Sequence, residues 1–282
     1  MLAAPNPLRS TMKLPTRSRF LSAAVVAVIA LGTRFAVAGQ IEALTAHVPD
    51  KVDFDATKNA TIRKIAILHI NPTHHFVVEN SSLLAAAFPG LAELTVESGL
   101  NGAHAGTYIE AMKANSVSLV APLVDALQKE LEGVGYQVVY LQQGPRLKDD
   151  KKTLDYTNIH SDADALMTVW YGKTGYWAPT SKPDYAPQII MGIKLTDAHS
   201  FETIFFKTFD IAQNASQVSN ANVEAIMPGE KYRYATFELL MTNFNESVQG
   251  LQDSERLIAA NVAQHLRPIA AAVAAPAAAS NP

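Results

Sequence analysis

The chain of 282 residues contains no cysteine. Disulfides are therefore excluded, as are thiolate zinc sites, cysteine nucleophiles and iron–sulfur clusters. The lipid-modified cysteine that tethers many exported envelope proteins is excluded with them. Glycine is present but never forms a phosphate loop, a dinucleotide fingerprint or a Gly-x-Ser-x-Gly elbow, and no His-Glu-x-x-His occurs. No cofactor is expected on these grounds. Long apolar runs are scarce as well. The one that stands out, residues 20–32, is shorter than the roughly 20 residues a membrane-spanning helix needs, and Arg34 interrupts its extension.

That run has the form of an export signal. Arg9, Lys13, Arg17 and Arg19 precede it, and Ala36-Val37-Ala38 follows as a small-x-small cleavage pattern. Residues 1–38 are expected to be removed before Gly39, leaving a periplasmic protein without a transmembrane segment. The signal takes five of the 23 basic residues and none of the 26 acidic ones, so the remainder carries a formal balance of −8. An acidic chain lacks the basic face that draws phosphate backbones or anionic lipid, and nucleic-acid binding is not expected.

Residues 39–62 read as an irregular lead-in, 63–267 as one α/β domain, and 268–282 as a disordered tail rich in alanine and proline. Within the domain, Arg63 to Ile70 suits a buried strand ended by Asn71-Pro72. Residues 73–113 read as a long excursion with short helical pieces. Val120, Leu123, Val124, Leu127, Leu131 and Val134 then repeat at helical spacing, with Ser116 or Ser118 as the cap and Gly133 and Gly135 as the stop. Tyr136 to Leu141 is the next strand, completing a βαβ-like unit with a long insertion before its helix, and a polar loop at 142–161 separates this unit from the strands that follow. Further strands are expected at 165–171, 188–196 and 201–211, the last two joined by a turn at Asp197-Ala198-His199-Ser200. Helices are expected from about Ala235 and again over 253–267. The resulting fold is α/β or α+β: a three-layer-like sheet with a βαβ-like first half, an antiparallel hairpin second half and packing helices.

These strings resemble a known group. Lys64 to Leu68, the helix ending Gly133-Val134-Gly135-Tyr136, Asp162-Ala163-Asp164-Ala165, residues 188–197 and Phe201 to Phe206 together look like the small α/β domain of exported bacterial envelope proteins. Members of that general shape include the amino-terminal domain of the Tol translocation protein, the lipoprotein that activates a peptidoglycan synthase, and the curli-secretion lipoprotein. The resemblance spans roughly residues 63 to 211 and departs from the lipoproteins in lacking their cysteine. It implies a binding or assembly domain rather than an enzyme.

Candidate binding residues are aromatic: Trp170, Tyr171, Tyr176, Trp177 and Tyr185, with Gly172, Gly175, Pro179 and Pro183 interleaved. The interruptions place Tyr176, Trp177 and Tyr185 on a loop between strands, where rigid, partly polar rings favour contact with a protein or glycan. The competing reading has Trp170 and Tyr171 packing against helices on either side of the sheet. His74-His75 with Glu79 suggests a metal, but adjacent histidines diverge on an extended chain, so no metal site is expected. Asp149-Asp150 sits among lysines as a solvated run, and Asp162 and Asp164 suit a turn or cap. The sequence thus points to a non-enzymatic protein that binds an envelope partner, a protein or a glycan. A periplasmic small-ligand binder and a cell-wall hydrolase are the alternatives.

Overall fold

A computed structural model describes residues 61–81, 97–149, 154–179, 183–212 and 222–268. The signal segment, nearly all of the lead-in and the tail beyond residue 268 lie outside them, as do residues 82–96 of the excursion.

The fold is α/β, built on a mixed sheet of seven strands. Its centre is an antiparallel meander of three long strands, β6 (Ala165–Ala178), β7 (Ala186–Asp197) and β8 (Thr203–Ile211). Parallel strands flank it. β1 (Lys64–Ile67) pairs with the first part of β6 and, on its other edge, with β3 (Gln137–Tyr140); β9 (Val223–Ile226) pairs with β8. β2 (Phe76–Asn80) also runs parallel to β6, beside its second part, so β1 and β2 share one edge of the same strand. A small ladder of β4 (Arg146–Leu147) and β5 (Leu154–Asp155) stands apart.

Helices pack against this sheet. α1 (Glu97–Ala114) packs beside β2. In α2 (Val120–Gly133), Leu123, Leu127 and Leu131 are fully buried, as the three- and four-residue spacing requires. α3 (Phe237–Thr242) is short and is capped by Thr236, whose side chain accepts from the Leu239 N–H at 3.2 Å. α4 (Phe244–Leu266) turns Leu251, Ile258, Val262 and Leu266 inward, and its C-terminus is tied to the end of α2 through the Tyr136 hydroxyl, which donates to the Leu266 carbonyl at 2.5 Å.

The buried hydrophobic residues of these helices all join one large core with Ile65, Ile67, Met167, Val169, Met191, Ile193, Leu195 and Phe209 of the sheet. The alternate strand positions point the other way, because side chains alternate along a strand. Near one end they form a second, small core of Ala66, Leu68, Leu166, Tyr156, Ile159 and Ala163. Among the described residues the helices therefore cover one face of the sheet.

Several local expectations are corrected. The excursion contains a strand and an 18-residue helix rather than short helical pieces. Neither Ser116 nor Ser118 caps α2; the residue before it is Leu119, which makes no side-chain cap bond, and Ser116 itself has φ 52° in the turn that ends α1. Phe201 also has a positive φ, 59°, so it closes the turn and β8 starts at Thr203. The last helix is one continuous element of 23 residues. The turn at 198–200 is present, held by Asp197, which accepts from the amides of His199 and Ser200 at 2.9 and 2.7 Å.

Candidate functional site

The five aromatic residues do not form a loop cluster. β6 continues through Gly172 and Gly175 to Ala178, so Tyr176 and Trp177 are strand residues, and Tyr185 pairs through its backbone with Tyr234 just ahead of β7. Glycine here marks a strand irregularity rather than a loop. The register slips between Tyr171 and Thr174, and Gly175 has φ 143°. A Cβ on Gly175 would lie 1.9 Å from the Val77 carbonyl oxygen, so only glycine lets β2 approach this closely.

Tyr176 and Tyr185 are core residues, 0% and 1% exposed. The Tyr176 hydroxyl donates to the Ser247 carbonyl at 2.8 Å, and its ring lies near Tyr108 and edge-on to Tyr234. The Tyr108 hydroxyl shares a bond of 2.7 Å with Ser247 Oγ. Burial pushes the Tyr108 and Tyr176 hydroxyls well above the usual phenol range, so this polar cluster is a neutral packing element. Tyr171 faces the helices and donates to Glu255 Oε1 at 2.6 Å. Glu255 is fully buried on α4, and burial pushes its carboxyl up to about 8. It is therefore mostly protonated near neutral pH.

Trp170 and Trp177 point to the face opposite the described helices. Trp170 is half-buried and stacks on Phe206 of β8, ring centroids 5.7 Å apart at 15°. Between them in the sheet lies Gly192, where a Cβ would fall 2.2 Å from the indole. The glycine is the seat of the ring. Along the same face run half-buried Ile190, Lys194, Thr208 and Asp210. The Lys194 ammonium sits 5.5 Å over the Tyr156 ring, and burial lowers its proton affinity. Toward the other end, Lys173 pairs with Glu79; burial raises the Asp210 carboxyl, with Lys173 offsetting part of that rise. Trp177 donates from Nε1 to Ser81 Oγ at 3.1 Å. Sequence reasoning found the two tryptophans but missed Phe206, Gly192 and Lys194, whose relation to them depends on β7 and β8 register.

On the helix side, at the gap between β1 and β2, a cavity of about 270 Å³ opens to the surface. Its walls come from the approach to β2, the last turns of α1 and the start of α2, and Tyr171 closes one side. His74 lies at this cavity rather than beside a metal, and among the described residues no three His, Asp or Glu side chains converge on a common point. The carboxylates at the start of β6 have structural partners. Asp164 accepts from the Arg63 and Lys64 amides at 2.8 Å each, and Asp162 pairs with the Lys64 ammonium at 2.5 Å. Lys207, Glu224 and His265 form a further cluster tying β8, β9 and α4 together, with Lys207 at 3.0 Å from Glu224. No helix of the described residues is long and apolar enough to cross a membrane.

No protein-family model matches the chain, and no curated protein matches it. Solved structures give faint likenesses. Protein XCC0632 from Xanthomonas campestris, of family DUF330, is 10% identical with a TM-score of 0.34, covering 72% of this chain and 83% of that one. The hypothetical protein CT253 from Chlamydia trachomatis is 8% identical with a TM-score of 0.29, covering 72% of this chain and 98% of that one. Likenesses this faint have no bearing on what the chain does.

Proposed function

We propose that this is an exported, non-enzymatic periplasmic protein that binds another component of the cell envelope through the sheet face opposite the described helices. The carrying observation is half-buried Trp170, stacked on buried Phe206 and seated on Gly192, with Lys194 to one side and Asp210 to the other. A rigid aromatic pair flanked by both signs of charge is the kind of surface that anchors a protein contact. The non-enzymatic reading draws support from three buried tyrosine hydroxyls that are bonded within the core: Tyr108 with Ser247, Tyr171 with Glu255, Tyr156 with Thr168. The export pattern of residues 1–38 and the resemblance of 63–211 to envelope binding domains point the same way.

The test is site-specific photo-crosslinking in intact cells. A crosslinker at Thr208, on that face, is expected to trap a discrete envelope species, and one at exposed Lys129 on α2 is not. Trp170→Glu is expected to abolish that product. Equal labelling from both positions would count against the reading. The export component is checked separately by the mass of the secreted chain, which is expected to begin at Gly39.

A further inference from the structure

The cavity at the gap between β1 and β2 has the makings of a ligand site that is independent of the sheet face opposite the described helices. Phe76, Ile109, Met112, Val117, Val120 and Tyr171 present half-buried apolar surface to it. The Tyr171 ring is held by the bond from its hydroxyl to buried Glu255, and Phe76 by its stack on Tyr108, centroids 5.1 Å apart. The walls are therefore fixed before anything binds, which spares a ligand the cost of ordering them.

Beside the hydroxyls of Thr73 and Ser118, the polar side chains at the mouth among the described residues are nitrogen groups. Lys113, in the last turn of α1, is exposed and has no ion pair among the described residues. His74 stands across from it as a second nitrogen group at the rim. Leu119 and Val120 bring the start of α2 to the same place. Among the described residues, the positive end of the helix dipole has neither a side-chain cap nor a first-turn carboxylate, and the Lys113 ammonium lies at the same mouth. Among the described residues no carboxylate lines the cavity.

We propose that this groove binds a small amphiphilic monocarboxylate, its apolar tail against Phe76, Ile109, Met112 and Tyr171 and its carboxylate at Lys113 beside the start of α2. A cationic head would meet Lys113 and the helix terminus and be repelled. A neutral head would keep the tail contacts and lose the charge attraction. The volume suits a chain of about eight carbons rather than a full membrane lipid.

Isothermal titration of the purified chain with octanoate, 1-octanol and octylamine tests this. Octanoate is expected to bind saturably at one site, 1-octanol more weakly, and octylamine not at all. Lys113→Ala, at an exposed position that folding does not depend on, is expected to weaken octanoate about five- to tenfold while leaving 1-octanol unchanged. Ile109→Trp, which fills the groove, is expected to abolish both. Equal binding of octanoate and octylamine, octanoate affinity unchanged in Lys113→Ala, or no saturable binding of octanoate would each overturn the proposal. The crosslinking result at Thr208 is separate, so either reading can fail alone.

Discussion

Glu255 is the residue whose ionisation the fold resists most. Its carboxyl is raised to about 8 in the folded chain against about 4.5 in an unfolded one, chiefly by burial. Between those values the native state holds a proton that the unfolded state has released, so stability falls as pH rises through that window. The loss by pH 8.5 is on the order of 4 kcal/mol. Glu255→Gln keeps an acceptor for Tyr171 and has no proton to lose. It is expected to match the parent near pH 4.5 and to exceed it by a few kcal/mol at pH 8.5 in urea unfolding; equal losses in both proteins would refute the assignment. Glu224 acts in the opposite sense. Although burial opposes it, the bonds from Lys207 and His265 hold its carboxyl below the usual range, so their contribution is present above that range and lost as pH falls. At the same scale, Gly192→Ala forces the Trp170 ring off its seat and is expected to cost about 1–3 kcal/mol. The glycine's role was invisible in the sequence, because the atom it makes room for comes from a neighbouring strand.

At the scale of elements, the junction of β2 with β6 depends on Gly175. Gly175→Ala sets a methyl group against the Val77 carbonyl and strains a φ of 143°. It is expected to unpair β2 from β6 and speed hydrogen exchange of the Val77 to Asn80 amides well beyond the rest of the sheet. What the sequence disclosed at this scale follows a simple division. Strong periodicity made α2 and the inward stripe of α4 readable, and the apolar run at 65–68 marked β1, because burial on a single face writes itself into spacing. β2 and the second part of β6 were hidden. Their glycines and polar residues look like a loop until long-range pairing supplies the partner. The aromatic set divides between the two faces of the sheet for the same reason. Residue type singled out Trp170 and Trp177, but only strand register separates them from Tyr171, Tyr176 and Tyr185 behind the sheet.

For the whole molecule, the single large core joining sheet and helices means that a cavity opened anywhere in it is felt globally. Leu127→Ala, at a fully buried position of α2, is expected to cost about 2–5 kcal/mol in denaturant unfolding. The sheet that bounds this core is not uniform in how its strands find one another. β6, β7 and β8 are neighbours in sequence as well as in space, whereas Lys173 and Glu79, which meet where β6 adjoins β2, are 94 positions apart. Closing long loops is slow, so the meander has a head start and the parallel flanks must dock onto it. The edge of β6 shared by β1 and β2 is then a late seam with two separate stitches. The second stitch, with α1 beside it, is the part of the protein able to come undone first while the centre of the sheet stays folded.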